Sequence, residues 1–209
     1  MTSIVERVRG SPRSVWVAAA AVAALVGVGG AVMVTRFLKA DHARTVRKRA
    51  AQQKHRELMG DLNEARGVLG YIDLQELPKA QRLADEAEQV MQQLSQVGNE
   101  AKAEAEIETA VLEARLQAIR REIAGVGEQL LRLMERIDGV APALVVEAAG
   151  LEPWAEHEPE LKAMAEAAGL AAVFVLADDL RSIRKGLIRK AERRARKVDQ
   201  LKKIAAVAV

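Results

Sequence analysis

Acid–base or metal chemistry in this chain would have to use His42, His55 and His157, its only imidazoles. His42 and His55 lie in a basic stretch, and His157 stands between Glu156 and Glu158 in the acidic segment WAEHEPE. That trio could touch a metal, but it matches no ligand spacing such as HExxH, and a solvated loop accounts for it. There is no cysteine, which removes thiolate metal sites, a thiol nucleophile and disulfides. No Walker loop and no nucleophile elbow occurs. GVGG at 27–30 lies inside an apolar run and is a helix-packing feature. The residues therefore predict neither an enzyme nor a resident cofactor.

The chemistry the chain does carry is charge. Between Arg181 and Lys203 stand eleven bases and two acids, Glu192 and Asp199, a net of +9 in 23 residues. The stretch Ala101–Asp138 leans the other way, with eight acids against six bases. Solvated helix faces with internal pairs would account for both. Brought together, two such segments would present a mixed-charge face to a protein partner, which sets orientation and on-rate. A +9 segment also suits phosphates or anionic lipid. No aromatic residue interleaves with its bases, which argues against stacking on single-stranded nucleic acid, and no nucleic-acid partner is expected; a lipid or nucleic-acid tether through this basic helix is the alternative reading.

The elements that must position these charges are helices. Only five of the 209 residues are aromatic (Trp16, Phe37, Tyr71, Trp154 and Phe174), although 50% of the chain is hydrophobic. Such Ala/Leu-rich, charge-rich composition predicts an all-α protein with long helices. Ala80, Leu83, Ala87, Val90, Leu94 and Val97 fall at helical spacing, and Gly98–Asn99 reads as a stop. Ile107, Val111, Leu116, Ile119, Ile123, Val126, Leu130, Leu133 and Ile137 form a second stripe, ended by Gly139. Leu180, Ile183, Leu187, Ala191, Ala195, Val198, Leu201 and Ile204 form a third. Three one-sided helices bury their stripes most simply against each other, as an antiparallel three-helix bundle over residues 76–205. A long Pro-bearing connection at 139–160 interrupts it, and Gly169 interrupts the helix that begins near Glu160. The stripes could instead pair with another chain, giving a coiled-coil scaffold; homodimerisation has no specific support.

Ahead of the bundle, a short segment 1–14 precedes Val15–Thr35, which has no charged residue. As a helix this run reaches about 30 Å, enough for a single transmembrane span. Trp16 and Phe37 sit at its ends, and Ala23, Gly27 and Ala31 form a small-residue strip along it. Three arginines lie upstream and eight lysines and arginines lie between Arg36 and Arg56, so the C-terminal part belongs in the cytosol. Residues 36–75 read as a basic stalk and linker, broken by Gly60, Gly67 and Gly70.

GEQLLRLMERIDGV (127–140) and RSIRKGLIRKAERRARKVDQL (181–201) together resemble the BAG domain, a three-helix co-chaperone module of the 70-kDa heat-shock chaperones. A membrane span ahead of such a domain is similar to a fungal arrangement at the endoplasmic reticulum or nuclear envelope. The resemblance implies binding to the chaperone's ATPase domain and promotion of nucleotide exchange. The family's contact residues match Glu128 and Asp138 on the second helix and Arg184 and Lys185 on the third. A family Gln falls at Glu192, which accepts hydrogen bonds but cannot donate them. The family joins these helices by a short loop, whereas here 45 residues separate Asp138 from Arg184.

Overall fold

The computed structural model describes the backbone of residues 12–97, 103–153 and 159–206, with side chains from residue 33 onward except 103–106 and 161. Within these ranges the chain is helical, with no strand. Helix α1 spans Pro12–Tyr71, a π-helical turn spans Ile72–Glu76, and α2 spans Leu77–Val97. Then come α3 (Ala103–Asp138), α4 (Ala143–Ala148), α5 (Pro159–Ala167) and α6 (Ala171–Ala206). The chain divides into two units, Met1–Arg49 and Ala50–Val209.

In the first unit the described side chains are largely exposed, among them Met33, Val34, Phe37 and Leu38. Thr45 Oγ1 donates to the Asp41 carbonyl at 2.9 Å, one turn back along the helix. The apolar run 15–35 falls in α1, but its side chains before Met33 lie outside the described residues, as do Trp16 and the Ala23–Gly27–Ala31 strip. Among the described residues, no helix is long and apolar enough to cross a membrane.

The second unit begins at Ala50, not at residue 76. The segment expected to be a stalk and linker is continuous helix up to Tyr71 and supplies Ala51, Leu58, Leu62, Ala65, Leu69 and Ile72 to the core. From Leu58 onward these positions step by four and three, one face of a helix. The next buried residue, Leu77, comes five positions after Ile72. An extra residue in an α-helix would turn everything beyond it by about 100°. The π turn absorbs it: Leu77 N–H donates to the Ile72 carbonyl, five residues back. The buried face then continues through Ala80, Ala84, Ala87 and Val90. Leu62 is fully buried, so Leu62→Ala is expected to cost about 2–5 kcal/mol. A thermal midpoint unchanged by that substitution would remove 50–75 from the folded unit.

α2, α3 and α6 pack against one another. Cross-helix ion pairs fix their directions. Glu64–Arg136, Lys79–Glu122 and Glu86–Arg115 have residue numbers that rise on one helix as they fall on the other, so α1–α2 and α3 run antiparallel. His55–Asp179 and Asp73–Arg194 rise together, so the first helix and α6 run parallel. The core is aliphatic, with Phe174 its one described aromatic and no buried charged residue among those described. On α3 the stripe is buried only from Leu116 onward; Ile107 and Val111, expected inside, are 71% and 63% exposed.

The connection after α3 is structured. α4 lays Val145 and Val146 into the core, and α4 and α5 both pack on α6. Each of these short helices ends on a glycine in the left-handed region, Gly150 at φ 67° and Gly169 at φ 72°. Gly150 N–H donates to Glu147 and Leu151 N–H to Val146; Gly169 N–H donates to Glu166 and Leu170 N–H to Ala165. These are paired C-terminal caps that need φ above zero, which glycine adopts without a Cβ clash. Gly98–Asn99 and His157 lie outside the described residues.

Candidate partner-docking face

The two charged blocks meet. Asp138 is the last residue of α3. Arg184, one third of the way along α6, donates from Nη2 to Asp138 Oδ1 at 2.8 Å. Both helices are needed for this: antiparallel packing carries the end of α3 alongside the early turns of α6. The Arg184 side chain is 31% exposed and that of Asp138 60%. The guanidinium is only partly satisfied, because Arg184 Nε is buried without a hydrogen-bond partner among the described residues.

Arg184, Lys185 and Glu192 share one open groove along α6, with Arg181, Ile188 and Arg189 beside them. Lys185 and Glu192 are exposed. The residues are spaced by near-turns of the helix, so the groove follows from their positions. Glu128 is not brought to the Asp138–Arg184 pair. It lies ten residues earlier on α3, about 15 Å along the axis, is exposed, and pairs with Arg132 on its own helix at 3.5 Å. Four of the five expected contact residues thus gather around α6, and the fifth stands apart.

Other charged pairs were not anticipated. Asp73, inside the π turn, accepts from Arg194 Nε and Nη2 at 2.7 Å each. This bidentate fork is the strongest carboxylate–guanidinium arrangement. Arg194 holds the Asp73 carboxyl below its ordinary range. Glu64 and Glu122 are likewise lowered, by Arg136 and by Lys79. Glu76 accepts a hydrogen bond from Tyr71 and raises its phenol. A constant residue-number sum across the α2–α3 pairs is the signal that could have found the ladder, but it exists only once the helices are known to be antiparallel.

A depressed carboxyl stabilises the fold above its unfolded pKa and loses that contribution as pH falls through the folded value. Stability is therefore expected to hold through neutral pH and to fall below about pH 4. Asp73→Asn should flatten that acid limb in urea titrations across pH, and an unaltered limb would show that the fork does not report on folding.

No described cluster of histidine and carboxylate side chains has the geometry of a metal site. What the face can do is bind: it offers paired and unpaired charges over a narrow apolar strip at Ile188. No protein-family model matches the chain, and no curated protein or solved structure is significantly similar to it.

Proposed function

We propose that the chain is a membrane-tethered co-chaperone. Its bundle docks through the α3–α6 face on the ATPase domain of a 70-kDa heat-shock chaperone and promotes exchange of ADP for ATP. The observation that carries this reading is the 2.8 Å pair between Asp138 and Arg184, which joins on one surface the two blocks that resemble the BAG domain. The groove holding Arg184, Lys185 and Glu192 supports it, as does the unmet Nε of Arg184. A buried donor left unmade costs about 1–3 kcal/mol, so a carboxylate on the partner has something to gain by drawing Arg184 toward it. Arg184 and Lys185 face acidic groups of the chaperone, while Asp138 and Glu128 face basic ones.

Nucleotide exchange needs no catalytic group on the bundle. It needs preferential binding to the open form of the ATPase domain, and it shifts the population by that difference in affinity. The apolar run 15–35 serves as the single span and leaves the bundle on the cytosolic side of the endoplasmic reticulum or nuclear envelope. The test is affinity of the full chain for the ATPase domain with and without ADP. Tighter binding to the nucleotide-free form is the expected result; equal affinity for both forms would overturn the exchange mechanism.

A further inference from the structure

At its far end the bundle runs short of a helix. Among the described residues α6 stops at Ala206, where Arg120 Nε of α3 donates to the Ala205 carbonyl at 2.8 Å. α3 reaches back from Arg120 to Ala103, about 25 Å of helix. α2 accompanies it to Val97, tied to it by Glu86–Arg115. α4 and α5 follow the opposite end of α3 and pack on α6, so within the second unit α2 and α3 continue as a pair. Burial lapses at that level on both helices. Ala87, Val90 and Leu116 are buried; Met91, Leu94 and Leu112, each one turn farther out on the same inward stripe, are half-buried. Acids edge the opening. Glu88 lies two turns beyond Gln81, which lines the seam with α6, and Glu113 lies two turns before Arg120, which meets the end of α6. A seven-residue step returns to within about 20° of the same side of a helix. Both carboxylates are exposed and therefore border the side along which α6 packs farther down.

We infer that this open slot takes up a basic amphipathic helix of a partner protein as its third helix. α6 itself shows what the α2–α3 pair accepts. It lays down an aliphatic stripe, with Leu187, Ala191, Val198 and Leu201 buried, and it reaches out with a base to each side. Arg194 binds Asp73 on one neighbour, and Arg184 binds Asp138 on the other. The slot continues that groove with the same parts: half-buried aliphatic side chains for a stripe, and a carboxylate on either edge for flanking bases. This is the helix-in-groove mode, in which apolar anchors one turn apart supply contact. Charge fixes the sign of the occupant. Residues 86–97 and 103–115 together hold six acids and one base, so a cationic helix is attracted, and the same slot of a second copy is repelled by like charge. Glu113 and Asp138 stand about 37 Å apart along α3. The slot and the chaperone-facing groove can thus be filled at once, and neither occupancy depends on the other.

The probe is a fluorescent amphipathic peptide of leucine and lysine, about four helical turns long. It is titrated with the full-length chain and followed by anisotropy, beside a leucine–glutamate peptide of the same pattern. The lysine peptide is expected to bind at least about tenfold more tightly than the glutamate peptide, and to lose about tenfold in E88K/E113K. Both positions are exposed, so the thermal midpoint of that variant should stay in place. E88Q/E113Q removes the charges without reversing them and should weaken the lysine peptide about threefold, whereas E88D/E113D and R184A should leave it bound. Equal affinity for the two peptides, or lysine-peptide binding unchanged in E88K/E113K, overturns the inference. So does binding that is lost in R184A and kept in E88K/E113K, which places the peptide in the other groove. A wild-type dimer in sedimentation that E88K/E113K converts to monomer puts a second copy in the slot and overturns it too.

Discussion

Arg184→Ala is expected to weaken binding to the chaperone's ATPase domain by roughly thirtyfold or more, about 2 kcal/mol, and to cut stimulated ADP release in step. The size follows from truncating one side of charge-assisted contacts that the interface desolvates. The fold should barely notice. The Asp138–Arg184 pair is at the surface, with side chains 60% and 31% exposed, and such pairs contribute about 0–1 kcal/mol. Binding loss well above stability loss is thus the signature of a docking residue. Asp138→Asn keeps an acceptor for Arg184 and loses the charge, so it should cost less. Because the two side chains touch, their effects should not add. The double variant should bind more weakly than Arg184→Ala alone, but by less than the two single losses combined. Full additivity would mean that each residue meets the partner independently and that the pair seen here has no role in presenting Arg184.

The second large effect concerns the register of the first bundle helix. Deleting Gln75 removes the extra residue of the π turn and brings Leu77 to four positions from Ile72, the α-helical step. The two buried faces stay aligned, so the bundle should persist with a stability change within about 1 kcal/mol. Deleting Arg82, an exposed residue in the regular part of α2, has the opposite outcome. It turns Ala84, Ala87 and Val90 away from the core by about 100° relative to the residues before them, and it unpairs Arg115 from Glu86. The expected cost exceeds about 4–5 kcal/mol, the range reserved for disrupted cores. Thermal unfolding followed by far-ultraviolet circular dichroism separates the two. Equal damage from both deletions would show that the π turn does not function as a register device.

That same turn explains what could be read from residue order alone and what could not. The stripes from Leu116 to Ile137 and from Leu180 to Ile204 keep a helical period, so both helices and their inward faces were legible. The stripe from Leu58 to Ile72 keeps it too, but it carries Gly60, Gly67 and Gly70 and then changes phase at Leu77. Each glycine costs about 1 kcal/mol in a helix relative to Ala, and together with the slip they read as a break. Packing of Leu62, Leu69 and Ile72 overrides those local costs. An added Cβ at any of the three glycines would meet nothing, so no close contact requires them. Ile107 and Val111 mislead for the opposite reason: they continue a period, yet no described neighbour buries them.

At the site, Asp138 and Arg184 were singled out by the resemblance of their two blocks to the BAG domain, and neither charge nor spacing alone would have paired them. Their contact depends on the turn made by α4 and α5, which the prolines and glycines mark but do not aim. Glu128 shares the pattern and not the place. Asp73 and Arg194, 121 residues apart, had no sequence signal, since one sits in a slip of the helix and the other in a crowd of bases.

The most direct test is the rate at which a 70-kDa heat-shock chaperone releases labelled ADP in the presence of the full-length protein. A rate that rises with the wild-type chain and falls back with Arg184→Ala is the predicted result. A rate unmoved by the wild-type chain at concentrations that saturate binding would contradict the proposed exchange activity.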